Sequence, residues 1–313
     1  MTFPSFSIIC PVYNMGEYIS SAIDSVLKQT YPHFELIVID DCSTDHSISV
    51  VKSFTDSRIH ISSVPYKNGK AGYFARNYGV SLASNKWICF LDADDIYLPN
   101  HLSCLSQLIL DFPDQNYFCT NFCLSTNQSY QFISNVQQYL NKPLHLPLDK
   151  CIDSLSEGKE FFHTNSVCIS KPLFDQSNGF PSYNNSCRCS GDGALFLRLA
   201  ILNKGIILSP VISSVYRRIC PNSTTKSFTP LESNCFYNSL ASYSCLSNSL
   251  QKKLRQVLMR KSSSTLLRQT IDHKLLPDYI FRSLRYTGFN IRSLLSFSIS
   301  LYNFLLFYLL PQP

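Results

Sequence analysis

The sequence has little charge and little glycine: 15% of its 313 residues are charged and 10 are glycine. With 45% hydrophobic residues, such a chain buries a core and is not globally disordered. Ten glycines and 16 prolines exclude collagen-like and linker-dominated chains. No Gly-x-Gly-x-x-Gly follows the first apolar run, which disfavours a dinucleotide oxidoreductase. Gly-x-x-x-x-Gly-Lys-Ser/Thr is missing too, which disfavours a P-loop NTPase. The seven histidines form no His-Glu-x-x-His, and no Gly-x-Ser-x-Gly marks a serine hydrolase. The 13 cysteines are odd in number and follow no recurring frame. The opening MTFPSFSIIC lacks a basic segment before a long apolar one, so no signal peptide is expected. The thiols are then expected to be reduced and to act as small hydrophobes. Cys187 and Cys189 are too few and too close to form a zinc site alone.

The net charge of +6 is uneven. Beyond residue 250, ten lysines and arginines face only Asp272 and Asp278, so this tail carries +8 and residues 1–250 carry −2. The main body is therefore no nucleic-acid binder by charge. The tail ends in Ser293–Leu310, which is uncharged. It is about as long as the roughly 20 residues a bilayer span requires, but Ser296, Ser298, Ser300 and Asn303 interrupt it. It reads as lying in the interface, packing on the body, or barely spanning. A basic segment followed by an apolar aromatic one suits the anionic inner leaflet of a membrane.

Apolar runs of strand length recur early: Ser7–Cys10, Phe34–Ile39, Arg58–Ser62 and Lys86–Leu91. Helical patterns separate them. Ile19, Ile23, Val26 and Leu27 share one face; Asp45 through Phe54 predicts a second helix capped by Ser43 or Thr44; Gly72 to Ala83 predicts a third. This alternation predicts an α/β fold with a mainly parallel sheet. Tyr117–Leu124 and Ser166–Ser170 read as further strands. Leu195–Leu202 reads as a helix, and Ile206–Leu208 and Val211–Val215 as extended. Asn127–Lys150 reads as a polar, mobile excursion, and the chain from about residue 230 as helical and basic, broken at Pro277. There is no internal repeat.

Parallel sheets bind ligands at the carboxyl ends of their strands. Polar residues gather there: Asn14 after the first run, Asp40 and Asp41 after the second, Asp92, Asp94 and Asp95 after the fourth. Converging carboxylates raise one another's pKa unless a cation joins them. A hard divalent metal bridging these oxygens to a diphosphate resolves the repulsion, and acts as a Lewis acid on the leaving diphosphate. Helix capping and Asx-turns are the competing use of such aspartates.

Four segments carry a resemblance: FSIICPVYNMGEYISSAIDSVLKQTY (6–31), FELIVIDDCSTD (34–45), NGKAGYFARNYGVSLASNKWICFLDADD (68–95) and SNGFPSYNNSCRCSGDGALFLRLA (177–200). In these the chain resembles a family 2 inverting glycosyltransferase of the GT-A fold, over about the first 220 residues. The resemblance implies a glycosyltransferase domain over 1–225, with a nucleotide-binding half (1–112) and an acceptor half (113–225), followed by the helical extension 226–313. It implies that Pro11, Val12 and Tyr13 line a base pocket, that Asp41 reads the base, and that Asp40 supports that loop. It places Arg76 and Asn77 near the diphosphate and sugar. Asp92 and Asp94 match the family's Asp-x-Asp pair, Asp92 facing ribose and metal and Asp94 ligating the metal. Asp95 would stand near the donor sugar or cap the next helix. Asp192 matches the catalytic base, whereas Gly191 stands where the family usually has Glu. Arg217 and Arg218, after Tyr216, match a segment that closes over the diphosphate; a solvated surface loop is the alternative.

These matches imply a divalent cofactor (Mn²⁺ or Mg²⁺), a nucleotide-sugar donor with UDP as the default carrier, and a glycan or lipid-linked acceptor. The missing export signal and the basic, apolar tail suggest a cytoplasmic location, with the C-terminal extension peripheral on the inner membrane face. Two rivals stay open: a non-catalytic nucleotide-sugar-binding relative and a nucleotidyltransferase. For the second, PVYNMGEY after the first strand lacks the expected glycine- and arginine-rich loop.

Overall fold

The computed structural model describes residues 3–66, 72–126, 129–132, 140–156, 162–181, 191–217 and 246–254. Arg218, Cys187, Cys189 and Ser293–Leu310 lie outside them. The first half runs β1 (Phe6–Val12), α1 (Ile19–Leu27), β2 (Phe34–Asp40), α2 (Ser47–Lys52), β3 (Ile59–Ser63), α3 (Tyr73–Leu82) and β4 (Trp87–Phe90). Then come β5 (Ile96–Tyr97), α4 (His101–Asp111), β6 (Tyr117–Thr126), β7 (Ser129–Phe132), β8 (Leu144–Pro147) and α5 (Leu148–Ser156). A 3₁₀ turn (Thr164–Ser166), β9 (Val167–Ser170), α6 (Lys171–Gln176), α7 (Gly191–Leu202) and β10 (Gly205–Arg217) follow.

One sheet holds all ten strands, in the order β3-β2-β1-β4-β9-β6-β10-β5, with β7 on β6 and β8 on β10. β3, β2, β1 and β4 are mutually parallel, and β10 is parallel to β6. β9 joins the two groups by running antiparallel to both β4 and β6. Trp87, the one tryptophan, sits at that seam; it is opposite Ser170 and edge-on to Phe118 at 5.5 Å.

The continuous apolar runs of β1, β2 and β4 arise because both faces of the sheet are covered. Phe6, Ile8, Cys10 and Val12 point to one face with Leu36, Val38, Cys89 and Leu91, under α1 and α4. Ile9, Ile37, Ile39, Ile88 and Phe90 point to the other, with side chains of α3, α6 and α7. α1 buries Ile19, Ala22, Ile23 and Val26, the spacing of one helical face. α6 starts at Ser170, whose hydroxyl accepts the Leu173 N–H, with Pro172 in the first turn.

Gly79 lets α3 lie close on the sheet. A Cβ there would sit 2.5 Å from Ile9 Cγ2 and 3.1 Å from Ile39 Cγ1. Alanine gains about 1 kcal/mol of helix propensity, but overpacking a filled core costs about 1–3 kcal/mol. Gly79→Ala is therefore expected to lower stability in chemical unfolding; a raised midpoint would contradict this packing.

Three sequence expectations change. Asn127–Lys150 is not a featureless excursion, since β7, β8 and the start of α5 lie in it. β8 is held by antiparallel pairing to β10, and Leu146 is buried. The second helix begins at Ser47, not Asp45, because the Asp45 carboxylate turns to accept the Ser47 N–H and the Gly16 N–H. α4, which the sequence reading left unassigned, buries Leu102, Leu105, Leu108 and Ile109. At its start His101 is fully buried, stacked on Tyr97 and paired with Ser213 Oγ at 2.8 Å. Burial pushes its pKa down to about 3, so it is a neutral packing group.

Candidate active site

The carboxyl ends of β1, β2 and β4 meet at one rim, where two loops are laced together. Asn14, in a left-handed conformation (φ 51°), accepts the Thr44 N–H on its side-chain oxygen at 2.7 Å. Its own N–H donates to Ser43 Oγ at 3.2 Å, and the Asp40 carboxylate accepts the Ser43 N–H at 2.9 Å. Asp40 thus holds the loop as an Asx-turn does. Asp41 is buried, its N–H on the Val12 carbonyl, while Tyr13 is exposed beside it. The end of β1 also faces α3, since a Cβ on Gly72 would lie 3.6 Å from Pro11 Cβ.

The segment after β4 is the most constrained. Asp92 pairs with the buried Arg76 of α3. Burial alone would lower the Arg76 pKa, but Asp92, Tyr73 and Asp192 outweigh it and hold the guanidinium above its usual value. Asp95 is fully buried; burial, then Asp92 and Asp94, raise its pKa well above the usual carboxylate range. Its carboxylate accepts the Arg217 N–H at 2.7 Å and an N–H of the Asn165 amide. The Arg217 Nε–H donates to the Asp94 carbonyl, and its guanidinium lies 5.8 Å from the Tyr18 ring centroid. Arg217 thus grips the backbone of the Asp94–Asp95 turn.

Sequence reasoning missed Asn165. It comes from the 3₁₀ turn before β9, is fully buried, and spans the turn. Its carbonyl oxygen accepts the Asp92 N–H at 2.8 Å while its amide reaches Asp95. Some 70 residues separate these partners in sequence, so no local spacing announces the contact.

Asn77 bonds to a loop far along the chain. Its amide nitrogen donates to the Phe180 carbonyl and its oxygen accepts the Phe180 N–H, both at 2.8 Å. It clamps the 177–181 loop, where Asn178 and Gly179 are both left-handed (φ 60° and 61°). A side chain at Gly179 would strike Asn77 Oδ1 at 2.7 Å. Arg198 of α7 donates to the Gly179 carbonyl from the other side. Asp192 is half-buried in the first turn of α7, where the helix dipole favours a carboxylate.

Asp92 and Asp94 offer hard oxygen donors to a cation. Among the described residues no group of three or more His, Cys, Asp or Glu is arranged to hold a metal. A cation here needs oxygens from its ligand, which fits Mg²⁺-like ions that take one or two carboxylates plus phosphates.

The fold is that of the GT-A glycosyltransferases. It is similar to S. aureus TarS 1-349, solved in complex with UDP-GlcNAc, with a TM-score of 0.63 at 17% identity, covering 90% of this chain and 73% of that one. The Glycosyl transferase family 2 model matches residues 7–167, and the chain belongs to that family. The match includes Asp41, Arg76, Asp92 and Asp94; Asp192 and Arg217 lie beyond it. The Escherichia coli UDP-Glc:alpha-D-GlcNAc-diphosphoundecaprenol beta-1,3-glucosyltransferase WfgD is 46% identical over 104 residues, 33% of this chain and 40% of that protein. The putative teichuronic acid biosynthesis glycosyltransferase TuaG of Bacillus subtilis is 30% identical over 178 residues, 56% of this chain and 64% of that protein. The matched part thus spans less than two thirds of either relative.

Proposed function

We propose that the protein transfers a sugar from a UDP-sugar to a hydroxyl of a glycan or lipid-linked acceptor, with inversion at the anomeric carbon. The observation that carries this is α3, whose Arg76 pairs with Asp92 and whose Tyr73 hydroxyl meets the Gly191 N–H beside Asp192. It links the donor rim to the one carboxylate that begins α7. Pro11, Val12, Tyr13 and Asp41 receive the base, with Asp41 accepting a base N–H. Asp94, helped by Asp92, holds a divalent metal, which when bound neutralises charge on the departing diphosphate. The acceptor hydroxyl loses its proton to Asp192 as the hydroxyl oxygen attacks the anomeric carbon, and the nucleoside diphosphate departs from the opposite face. One displacement inverts the centre, and no covalent nucleophile is required.

The names of WfgD and TuaG, with UDP-GlcNAc bound to TarS, support a UDP carrier and a cell-surface acceptor. The basic and apolar tail suits the anionic face where lipid-linked glycans are built. A thermal-shift screen of UDP-sugars with Mn²⁺ tests the reading. The true donor at 100 times its Kd is expected to stabilise by roughly 2.7 kcal/mol. Absence of any shift across the panel would overturn it.

A further inference from the structure

We propose that Tyr73 is a positioning residue for Asp192, its hydroxyl fixing the end of α7 from which the carboxylate projects; this rests on Asp192 being the base. Tyr73 opens α3 and is 5% exposed. Its hydroxyl accepts the Gly191 N–H at 2.8 Å. Gly191 is the first residue of α7, and an N–H in a helix's first turn has no acceptor within its own helix. Tyr73 supplies that acceptor from across the fold, next to Asp192.

Gly191 is required by space. It is not among the glycines with positive φ, so its backbone conformation suits any residue. Yet a Cβ on it would meet the Tyr73 ring at 2.6 Å and Pro181 Cγ at 3.0 Å. The tyrosine ring fills the volume that a side chain at 191 would take. The ring itself is held. It stacks on Phe180 at 5.8 Å and 9°, and Phe180 is clamped by Asn77, one turn along α3. Tyr73, Arg76 and Asn77 therefore reach the α7 terminus, the Asp92 carboxylate and the 177–181 loop from one helical turn.

The test uses the full chain, with Mn²⁺ and UDP-glucose or UDP-N-acetylglucosamine, and reads UDP release to water. Tyr73→Phe removes one hydrogen bond and keeps the ring, so kcat is expected to fall about tenfold with donor KM within about twofold. In an Asp192→Asn background the same change is expected to cost nothing more, because residues acting as a unit are not additive. Amide exchange at the start of α7 is expected to rise in Tyr73→Phe. The proposal is overturned by an unchanged kcat, by equal losses in both backgrounds, by a donor KM that rises as kcat falls, or by unchanged exchange. If Asp192→Asn keeps the wild-type rate, or wild type releases no UDP from either donor, the base or transferase reading fails and this fails with it. If Asp192→Asn is inactive and Tyr73→Phe is not impaired, the proposal fails alone.

Discussion

Asp192→Asn is expected to reduce sugar transfer by 10²–10⁴-fold and to leave UDP affinity near the wild-type value. The amide keeps the shape and hydrogen-bonding reach of the side chain but accepts no proton at neutral pH. Losing the negative charge from the first turn of α7 costs the fold only about 0.3–1 kcal/mol, far less than the barrier change expected for the reaction. Melting temperature and UDP binding therefore separate the two effects. In the proposed site the base is received at the ends of β1 and β2, whereas Asp192 stands in the first turn of α7. Activity that survives the change would remove Asp192 as the base.

Asp94→Ala is expected to abolish the Mn²⁺-dependent part of UDP binding, a loss of more than about tenfold in Kd, or about 1.4 kcal/mol. Asp92 Oδ1 is already paired with Arg76. Chelation of the wild-type protein should weaken UDP binding to the same degree, and should change nothing in the variant. Calorimetric titration with and without Mn²⁺ checks both. Equal metal dependence in variant and wild type would refute the assignment.

The acidic rim at the ends of β1, β2 and β4 was legible in the sequence because local patterns define it. A buried parallel strand is a short apolar run, and the aspartates that end it follow within a few residues, as at Ile39-Asp40-Asp41 and Leu91-Asp92. What lay hidden depends on partners far along the chain. β8 is a strand because β10 pairs with it, and Asn165 matters because it meets Asp92 and Asp95. The resemblance placed Asn77 near the diphosphate together with Arg76; its contact with Phe180, 103 residues on, had no local signal, and successive helical positions point apart, so Asn77 meets Phe180 while Arg76 meets Asp92. Gly191 read as a departure from the family's Glu; Tyr73, 118 residues earlier, accounts for its small size.

The lone indole carries a practical consequence. Trp87 stands where β4 meets β9, flanked by the Phe118 ring and by the Lys86 ammonium 4.8 Å from its own ring. Intrinsic fluorescence from this protein thus has a single tryptophan source, placed on the boundary joining the four parallel strands β3, β2, β1 and β4 to the remainder. Its emission colour tracks water entry at that boundary, so an unlabelled sample reports directly whether the two groups of strands part together or one after the other.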